Sequence, residues 1–209
     1  MRLTGSFIGG RAGGGFPRPS WRVPSLPMEG RIVAVYGSSR AFPGDGVYEQ
    51  GVELGALLGE AGFGVVNGGY EGLMEAVSSG AASVGARAIG VTAPSLFPTR
   101  AGGNRFLTEE IPAAGLIDRI KIMAEMACAS IVMPGSIGTL TELAVAWNDS
   151  YLVERRGLPA NPIIAFRVAW EGIVGSLVEE LRTEPGLVSM VDTPSEAVEV
   201  LTLSLPGYP

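Results

Sequence analysis

Histidine is absent from the 209-residue sequence, and lysine and cysteine each occur once, as Lys121 and Cys128. Without histidine the chain cannot use a Ser-His-Asp or Cys-His scheme, and it cannot form a zinc site with imidazole ligands. One cysteine cannot form an intrachain disulfide, so we expect a cytoplasmic protein in which Cys128 is a small buried hydrophobic residue.

Long apolar runs and clusters of basic residues are also missing. Glycine or a charged residue interrupts every apolar run before it reaches the length of a membrane span, so we expect no transmembrane helix and no membrane partner. The net charge is −6, and without a Lys/Arg cluster this predicts no nucleic-acid partner. Hydrophobic residues make up 46% of the sequence, which is enough to build the core of one domain.

Residues 1–29 differ from the rest of the chain. They are rich in glycine, proline and arginine, show no hydrophobic period and lack the continuous apolar core of a signal peptide. We interpret them as a flexible N-terminal tail, and Met28 could be the true start of the protein. We expect residues 30–209 to form a single domain.

From Arg31 onwards, strand-like and helix-like segments alternate. The predicted strands cover residues 31–37, 62–69, 86–92, 129–135, 161–168 and 186–192. The predicted helices cover residues 48–62, 71–85, 115–127, 139–154, 170–182 and 194–203, and a long loop with Pro94, Pro98, Gly102 and Gly103 follows the third strand. Strict alternation predicts an α/β fold with a mainly parallel sheet that helices cover on both faces. In such sheets, ligands bind outside the carboxyl ends of the strands.

Three predicted strand-to-helix turns contain glycine and small polar residues. They include Gly37, Ser38 and Ser39 after the first strand, Asn67, Gly68, Gly69 and Gly72 after the second, and Gly135, Ser136, Gly138 and Thr139 before the fourth helix. In a parallel sheet these turns lie at one edge, where glycines let the backbone approach a ligand and helix N-termini offer free N–H groups. The pattern favours a phosphate site, although each turn alone is also typical of ordinary connections. The sequence contains no dinucleotide-binding, P-loop or nucleophile-elbow motif.

Glu142 and Arg119 are the candidate chemical residues. Thr139 and Glu142 have the Thr-x-x-Glu spacing of a capping box, which would satisfy backbone amides at the helix start. The alternative is that Glu142 stays ionised there and holds ribose hydroxyls, or offsets positive charge on a sugar ring as its glycosidic bond breaks. Arg119 is predicted at the edge of a buried helix face, where it suits a forked contact to phosphate or carboxylate, unless it is a surface side chain.

Tyr70, Glu71 and Met74 follow the second glycine turn. Aromatic and apolar side chains at this place could cover a nucleotide base. The alternative is that they pack within the loop and the core.

These segments together resemble the Lonely Guy (LOG) family, once labelled lysine decarboxylase-like. The segment "NGGYEGLMEAVSSGA" is similar to the family's "GGxxGLMxAVxxGA", and "PGSIGTLTEL" is similar to its signature "PGGxGTxxEL". Arg119 and Met123 match the Arg and Met of the family's "RKxxM" segment, and Gly37-Ser38-Ser39 matches its "GSS". The match covers about residues 31–168.

The resemblance implies a three-layer, Rossmann-like, doubly wound domain of about seven strands, which forms a homodimer and needs no metal or nicotinamide cofactor. It implies hydrolysis of the N-glycosidic bond of a nucleoside 5′-monophosphate, such as a cytokinin riboside monophosphate or AMP, to free base and ribose 5-phosphate. Glu142 and Arg119 take the catalytic positions. The positions expected to bind substrate and phosphate are Gly37, Ser38, Ser39, Gly68, Gly69, Gly72, Met74, Pro134, Gly135, Ser136, Ile137, Gly138 and Thr139.

Four positions depart from the family pattern. Ser136 replaces the second glycine of "PGG", Thr141 replaces a glutamate, Ile120 replaces the lysine of "RK", and the histidine often found before that arginine is absent. Some members of the family only bind a ligand, such as molybdenum cofactor. The departures therefore leave a second interpretation open, in which the protein is a non-catalytic carrier or sensor of a phosphorylated ligand or nucleotide.

Overall fold

The structure is a computed structural model that describes residues 31–100, 102–183 and 185–205. The predicted flexible tail at residues 1–29 and the predicted start at Met28 lie outside the described residues. Within the described ranges, no helix is both long enough and apolar enough to cross a membrane.

Seven strands of the described chain form one parallel sheet. They are β1 (Arg31–Tyr36), β2 (Phe63–Asn67), β3 (Ala88–Thr92), β4 (Glu109–Pro112), β5 (Ala129–Val132), β6 (Ile163–Phe166) and β7 (Val188–Val191). Their order across the sheet is β4-β3-β2-β1-β5-β6-β7. The chain builds outwards from β1 to β4 and then returns to place β5 on the other side of β1. Ligands bind at this change of direction in doubly wound sheets.

Six α-helices in the described ranges cover the two faces of this sheet. They are α1 (Gly46–Glu60), α2 (Leu73–Ser83), α3 (Leu116–Met126), α4 (Ile137–Glu154), α5 (Arg167–Leu181) and α6 (Pro194–Ser204). One hydrophobic cluster contains residues of α1, α2 and α6, and the other contains residues of α3, α4 and α5. The central strands are buried on both faces, as their continuous apolar sequences predict. The prediction of a three-layer, doubly wound α/β fold is confirmed.

Strand β4 lies within the segment that the sequence predicts to be a long loop. Its sequence, EEIP, contains two exposed glutamates and ends in a proline. It pairs with β3 at one edge of the sheet, with Val91 opposite Ile111. An edge strand is partly solvated and tolerates proline, so it needs no apolar run and leaves no hydrophobic pattern in the sequence.

Helices α1 and α2 approach each other closely because glycines line their contact. A Cβ on Gly55 of α1 would collide with the backbone of Val77, and a Cβ on Gly80 of α2 would collide with the backbone of Val52. Helix backbones can meet this closely only where side chains are absent. The contact fixes the positions of the two helices that follow the first and second glycine turns.

Candidate functional site

A cleft of about 190 Å³ opens at the carboxyl ends of the central strands. Val35 and Tyr36, at the end of β1, form its floor, and the segments after β1, β2, β3 and β5 surround it. The cleft therefore lies at the change of direction in the sheet, where the topology predicts a ligand site.

Backbone hydrogen bonds join the three glycine turns. The Ser38 N–H donates to the Pro134 carbonyl at 3.0 Å, and the Leu73 N–H donates to the Ser38 carbonyl at 2.9 Å. Gly72 has a φ of +76°, and a Cβ there would collide with the backbone of Ser38 and Ser39. Glycine at position 72 therefore allows the first two turns to meet, and the three turns form one connected wall.

The second turn is shaped to admit an arginine. The Asn67 side chain donates from Nδ2 to the Met74 carbonyl at 3.2 Å, and its Oδ1 accepts the Gly69 N–H at 2.8 Å. A Cβ on Gly68 would overlap the guanidinium of Arg119. The side chain of Asn67 thus fixes the turn, and the absence of a side chain at Gly68 leaves the space for Arg119.

Arg119 extends from the first turn of α3 into the cleft and is only 8% exposed. Its Nε donates to the Val91 carbonyl at 2.8 Å, its Nη2 lies 3.6 Å from the Met74 sulfur, and its guanidinium carbon lies 5.8 Å from the Tyr70 ring centroid. Burial lowers the pKa of Arg119, and the carboxylate of Glu142 opposes that shift. The alternative of a surface arginine is therefore wrong.

Glu142, on α4, faces Arg119 across the cleft. Its Oε1 lies 4.0 Å from the Arg119 Nη1, and its side chain is 12% exposed. Burial raises the pKa of Glu142 to about 7, although Arg119 lowers it. A contact as long as 4.0 Å compensates only partly for removing a carboxylate from water, so burial decides the direction of the shift.

Helix α4 begins at Ile137, so the capping-box interpretation of Thr139 and Glu142 is wrong. Ser136 is the N-cap residue, its side chain makes no capping hydrogen bond within the described chain, and Thr139 is the third helical residue. The first N–H groups of a helix have no partner inside it, so those of residues 137–139 are available to an anion. Ser136 has an ordinary extended backbone with φ −117°, so a side chain in place of the family's glycine causes no strain there.

The cleft has a second wall, and the sequence predicts only part of it. Tyr70 lies there, as the base-covering interpretation requires, but Phe97 and Arg100 of the loop after β3 join it. Leu116, in the first turn of α3, is 47% exposed and also lines the cleft. Phe97 and Arg100 belong to no motif, and a basic residue near an aromatic one in a long loop was the only available signal.

The predicted site residues fall into two groups. Those that line the cleft are Gly37, Ser39, Gly68, Met74, Arg119, Ser136, Gly138, Thr139 and Glu142. Those that lie in the turns but do not line it are Ser38, Gly69, Gly72, Pro134, Gly135 and Ile137. In the described part of the chain, no three Cys, Asp or Glu side chains are grouped so that they could hold a metal ion.

The parallel sheet, the glycine turns at its carboxyl edge and the cleft at its change of direction define a Rossmann-like α/β protein with a candidate ligand site. The model of the SLOG cluster4 family matches residues 30–193, and the chain belongs to this family. The resemblance to the LOG family is thereby confirmed.

Two relatives share the name cytokinin riboside 5′-monophosphate phosphoribohydrolase. The protein from Mycobacterium tuberculosis is 35% identical over 133 residues, which are 63% of this chain and 68% of the relative. The protein from Mycobacterium marinum is 33% identical over 100 residues, which are 47% of this chain and 53% of the relative.

Solved structures of lower identity share the fold. The molybdenum cofactor binding protein from Rippkaea orientalis superposes with a TM-score of 0.65 at 22% identity, over 83% of this chain and 96% of that protein. The molybdenum cofactor carrier protein from Chlamydomonas reinhardtii superposes with a TM-score of 0.64 at 18% identity, over 83% of this chain and 98% of that protein. DNA processing protein A from Streptococcus pneumoniae superposes with a TM-score of 0.53 at 17% identity, over 81% of this chain and 61% of that protein. At these identities the likeness shows the fold alone.

Proposed function

We propose that this protein is a nucleoside 5′-monophosphate phosphoribohydrolase, which uses water to cleave the N-glycosidic bond and releases free base and ribose 5-phosphate. The observation that carries the proposal is the buried Glu142 carboxylate, 4.0 Å from the Arg119 guanidinium, in a cleft that the N-terminus of α4 also borders. The names of the two mycobacterial relatives support this reaction class and suggest cytokinin riboside monophosphates and AMP as first substrates to test.

The start of α4 is the proposed phosphate site. Ser136, Gly138 and Thr139 line the cleft at the point where the helix offers N–H groups without intrahelical partners. These N–H groups and the positive end of the helix dipole favour a phosphate dianion. With the phosphate held there, the ribose lies towards Glu142, one helical turn further along α4.

Glu142 is the proposed catalytic carboxylate. As the bond from C1′ to the base nitrogen breaks, its electron pair leaves with the base and positive charge spreads over the ribose ring. An ionised Glu142 beside that ring stabilises the charge, which exists only near the transition state. Water adds its oxygen to C1′, and a carboxylate with a pKa of about 7 is suited to accept the proton that the water loses. The departing base takes up one proton in exchange, so that the water is divided into the hydroxyl on C1′ and the hydrogen on the base nitrogen.

Arg119 is the proposed positioning residue for the nucleotide. Its hydrogen bond to the Val91 carbonyl and the space left by Gly68 hold the guanidinium in one place in the cleft. From there the side chain contacts both the substrate and Glu142, and its positive charge keeps part of the Glu142 population ionised.

The first experiment tests Glu142→Gln. Glutamine keeps the shape of the side chain but cannot carry the negative charge, so we expect the rate of base release to fall at least roughly 100-fold. The purified protein is incubated with AMP and with isopentenyladenosine monophosphate, and free base is measured by chromatography. Glu154→Gln, at the exposed end of the same helix, is the matched control and should keep full activity. Full activity in Glu142→Gln would rule out the assigned role.

A non-catalytic carrier of a phosphorylated ligand, such as molybdenum cofactor, is the second candidate. Three substitutions in the family pattern favour it, but Ile120 is buried in the core and the Thr141 hydroxyl donates to the Ile137 carbonyl at 2.9 Å. Of the three substituted positions, only Ser136 lines the cleft. The cleft therefore keeps Arg119 and Glu142, the side chains that the proposed hydrolase uses. The carrier predicts that the protein binds a phosphorylated ligand tightly and releases no base from any nucleotide.

We also propose that the protein is a homodimer. Ile137, Val145 and Leu152 are 75%, 41% and 50% exposed, and their spacing places them on one face of α4, away from its buried residues Leu143 and Trp147. Three exposed apolar side chains on the outer side of a helix favour a partner that covers them, and a second copy of this chain is the partner we infer. The cytoplasmic location and the absence of a nucleic-acid partner stay predictions.

A further inference from the structure

Arg100 lies in the loop between β3 and β4 and lines the cleft. Its guanidinium carbon is 4.5 Å from the centroid of the Tyr70 ring and 4.6 Å from that of Phe97. The two rings pack edge to face with their centroids 5.2 Å apart, and the Tyr70 hydroxyl accepts a hydrogen bond from the Ala93 N–H at 2.8 Å. The two rings therefore hold the guanidinium in a defined place.

The donor edge of Arg100 is available to a ligand. Among the described residues, no carboxylate lies within 4.0 Å of this side chain, and it donates no hydrogen bond to any of them. Arg167, by contrast, contacts Glu171 and Asp192. A cation–π contact with aromatic ring faces uses none of the N–H donors of a guanidinium in hydrogen bonds, so the Arg100 fork can recognise two acceptors side by side.

The strand order places Arg100 at the end of the cleft opposite the proposed phosphate site. Arg100 follows β3 and the α4 N-terminus follows β5, and β2 and β1 lie between them. Three strand spacings of roughly 4.8 Å separate the ends of β3 and β5 by about 14 Å. A nucleotide with its phosphate at α4 and its ribose beside Glu142 therefore reaches Tyr70, Phe97 and Arg100 with its base.

We propose that Arg100 reads the base and selects 6-oxopurine nucleoside monophosphates, such as IMP and GMP, over AMP. A 6-oxopurine presents two neighbouring acceptors, O6 and N7, which match the arginine fork. Adenine presents an amino donor beside N7, and this donor faces the guanidinium donors. The assignment rests on the ligand orientation of the proposed function, and it narrows the substrate class of that same site.

The test measures binding of intact nucleotides by titration calorimetry in the Glu142→Gln background. With Arg100 present, we expect IMP to bind roughly 10-fold or more tightly than AMP. Adding Arg100→Met should remove most of this preference by weakening IMP, while AMP changes by about twofold or less. Arg100→Lys keeps the charge without the fork and should also lose the preference. Arg105→Met is the matched control, because Arg105 stacks on Phe106 in the same loop without lining the cleft.

The outcomes separate this assignment from the proposed reaction. Equal binding of IMP and AMP, a preference for AMP, or equal weakening of both by Arg100→Met would overturn the role of Arg100. If Arg100→Lys keeps the preference for IMP, a positive charge alone explains the preference, and the proposed role of the arginine fork is wrong. Base release by the wild-type protein, measured alongside, tests the proposed hydrolase activity. If no base is released but IMP binding still depends on Arg100, the hydrolase proposal is wrong and the role of Arg100 in base recognition stands. Failure of every nucleotide to bind would overturn both.

Discussion

Burial penalises both charges of the Glu142–Arg119 pair. The pKa of Glu142 is raised to about 7 and that of Arg119 is lowered, and in each case loss of water is the largest cause. Neither shift is the one that a strongly stabilising ion pair would produce. We infer that the pair is kept for what it does to a ligand, because its contribution to folding is unfavourable when Glu142 is ionised.

The stability of the protein should therefore depend on the Glu142 proton. Because the folded chain holds this proton up to a pKa of about 7, against 4.5 for an ordinary glutamate, its stabilising effect is complete below pH 4.5 and is lost as the pH rises through 7. The shift corresponds to roughly 3 kcal/mol. Glutamine does not titrate, so Glu142→Gln keeps its stability as the pH rises. Between pH 4.5 and 8, the free energy of unfolding of the variant should therefore increase relative to that of the wild type by up to this amount.

Urea unfolding at intervals across this pH range measures the difference. Glu154→Gln serves as the control, and its stability should follow the wild type at every pH. Parallel curves for Glu142→Gln and wild type would show that Glu142 titrates normally in the folded protein.

At the scale of elements, the contact between α1 and α2 depends on missing side chains. A methyl group on Gly80 would meet the backbone of Val52, which cannot move without shifting the whole helix. Alanine usually stabilises a helix interior by about 1 kcal/mol relative to glycine. At this contact we expect overpacking to outweigh that gain.

Gly80→Ala should thus lower the free energy of unfolding by about 2 kcal/mol, as measured by the midpoint of urea unfolding. Gly175→Ala, on the exposed side of α5, is the matched substitution, because a Cβ there meets no atom within 4 Å. It should stabilise the protein by up to about 1 kcal/mol. A stabilising Gly80→Ala would mean that the two helices can separate without cost.

At the scale of the whole molecule, the outer apolar face of α4 should mediate self-association. Val145→Glu places a charge in the middle of this face, and burying it in a dimer would be costly, so we expect the variant to be a monomer. Sedimentation equilibrium of wild type and variant measures the effect. Leu203→Glu, at a more exposed position on α6 on the opposite side of the sheet, is the control and should leave the dimer intact. A monomeric wild type would refute the proposal.

The sequence predicted most of the fold because buried parallel strands and amphipathic helices leave strong periodic signals. It missed β4, whose two glutamates and proline satisfy an exposed edge rather than a core. It also placed the start of α4 two residues late, because Thr139 and Glu142 imitate a capping box while Ser136 occupies the N-cap position. Helix ends depend on local backbone geometry, which spacing alone does not fix.

The sequence by itself determined the layers, the parallel sheet and the gathering of three glycine turns at one edge, because these follow from local patterns and from the geometry of βαβ units. Only the tertiary structure decided that Arg119 and Glu142 face each other across a cleft, and that Arg100 and Arg119 both lie against the Tyr70 ring. These side chains come from elements far apart in sequence. Their burial and pKa values depend on everything packed around them, and no short stretch of sequence encodes that environment.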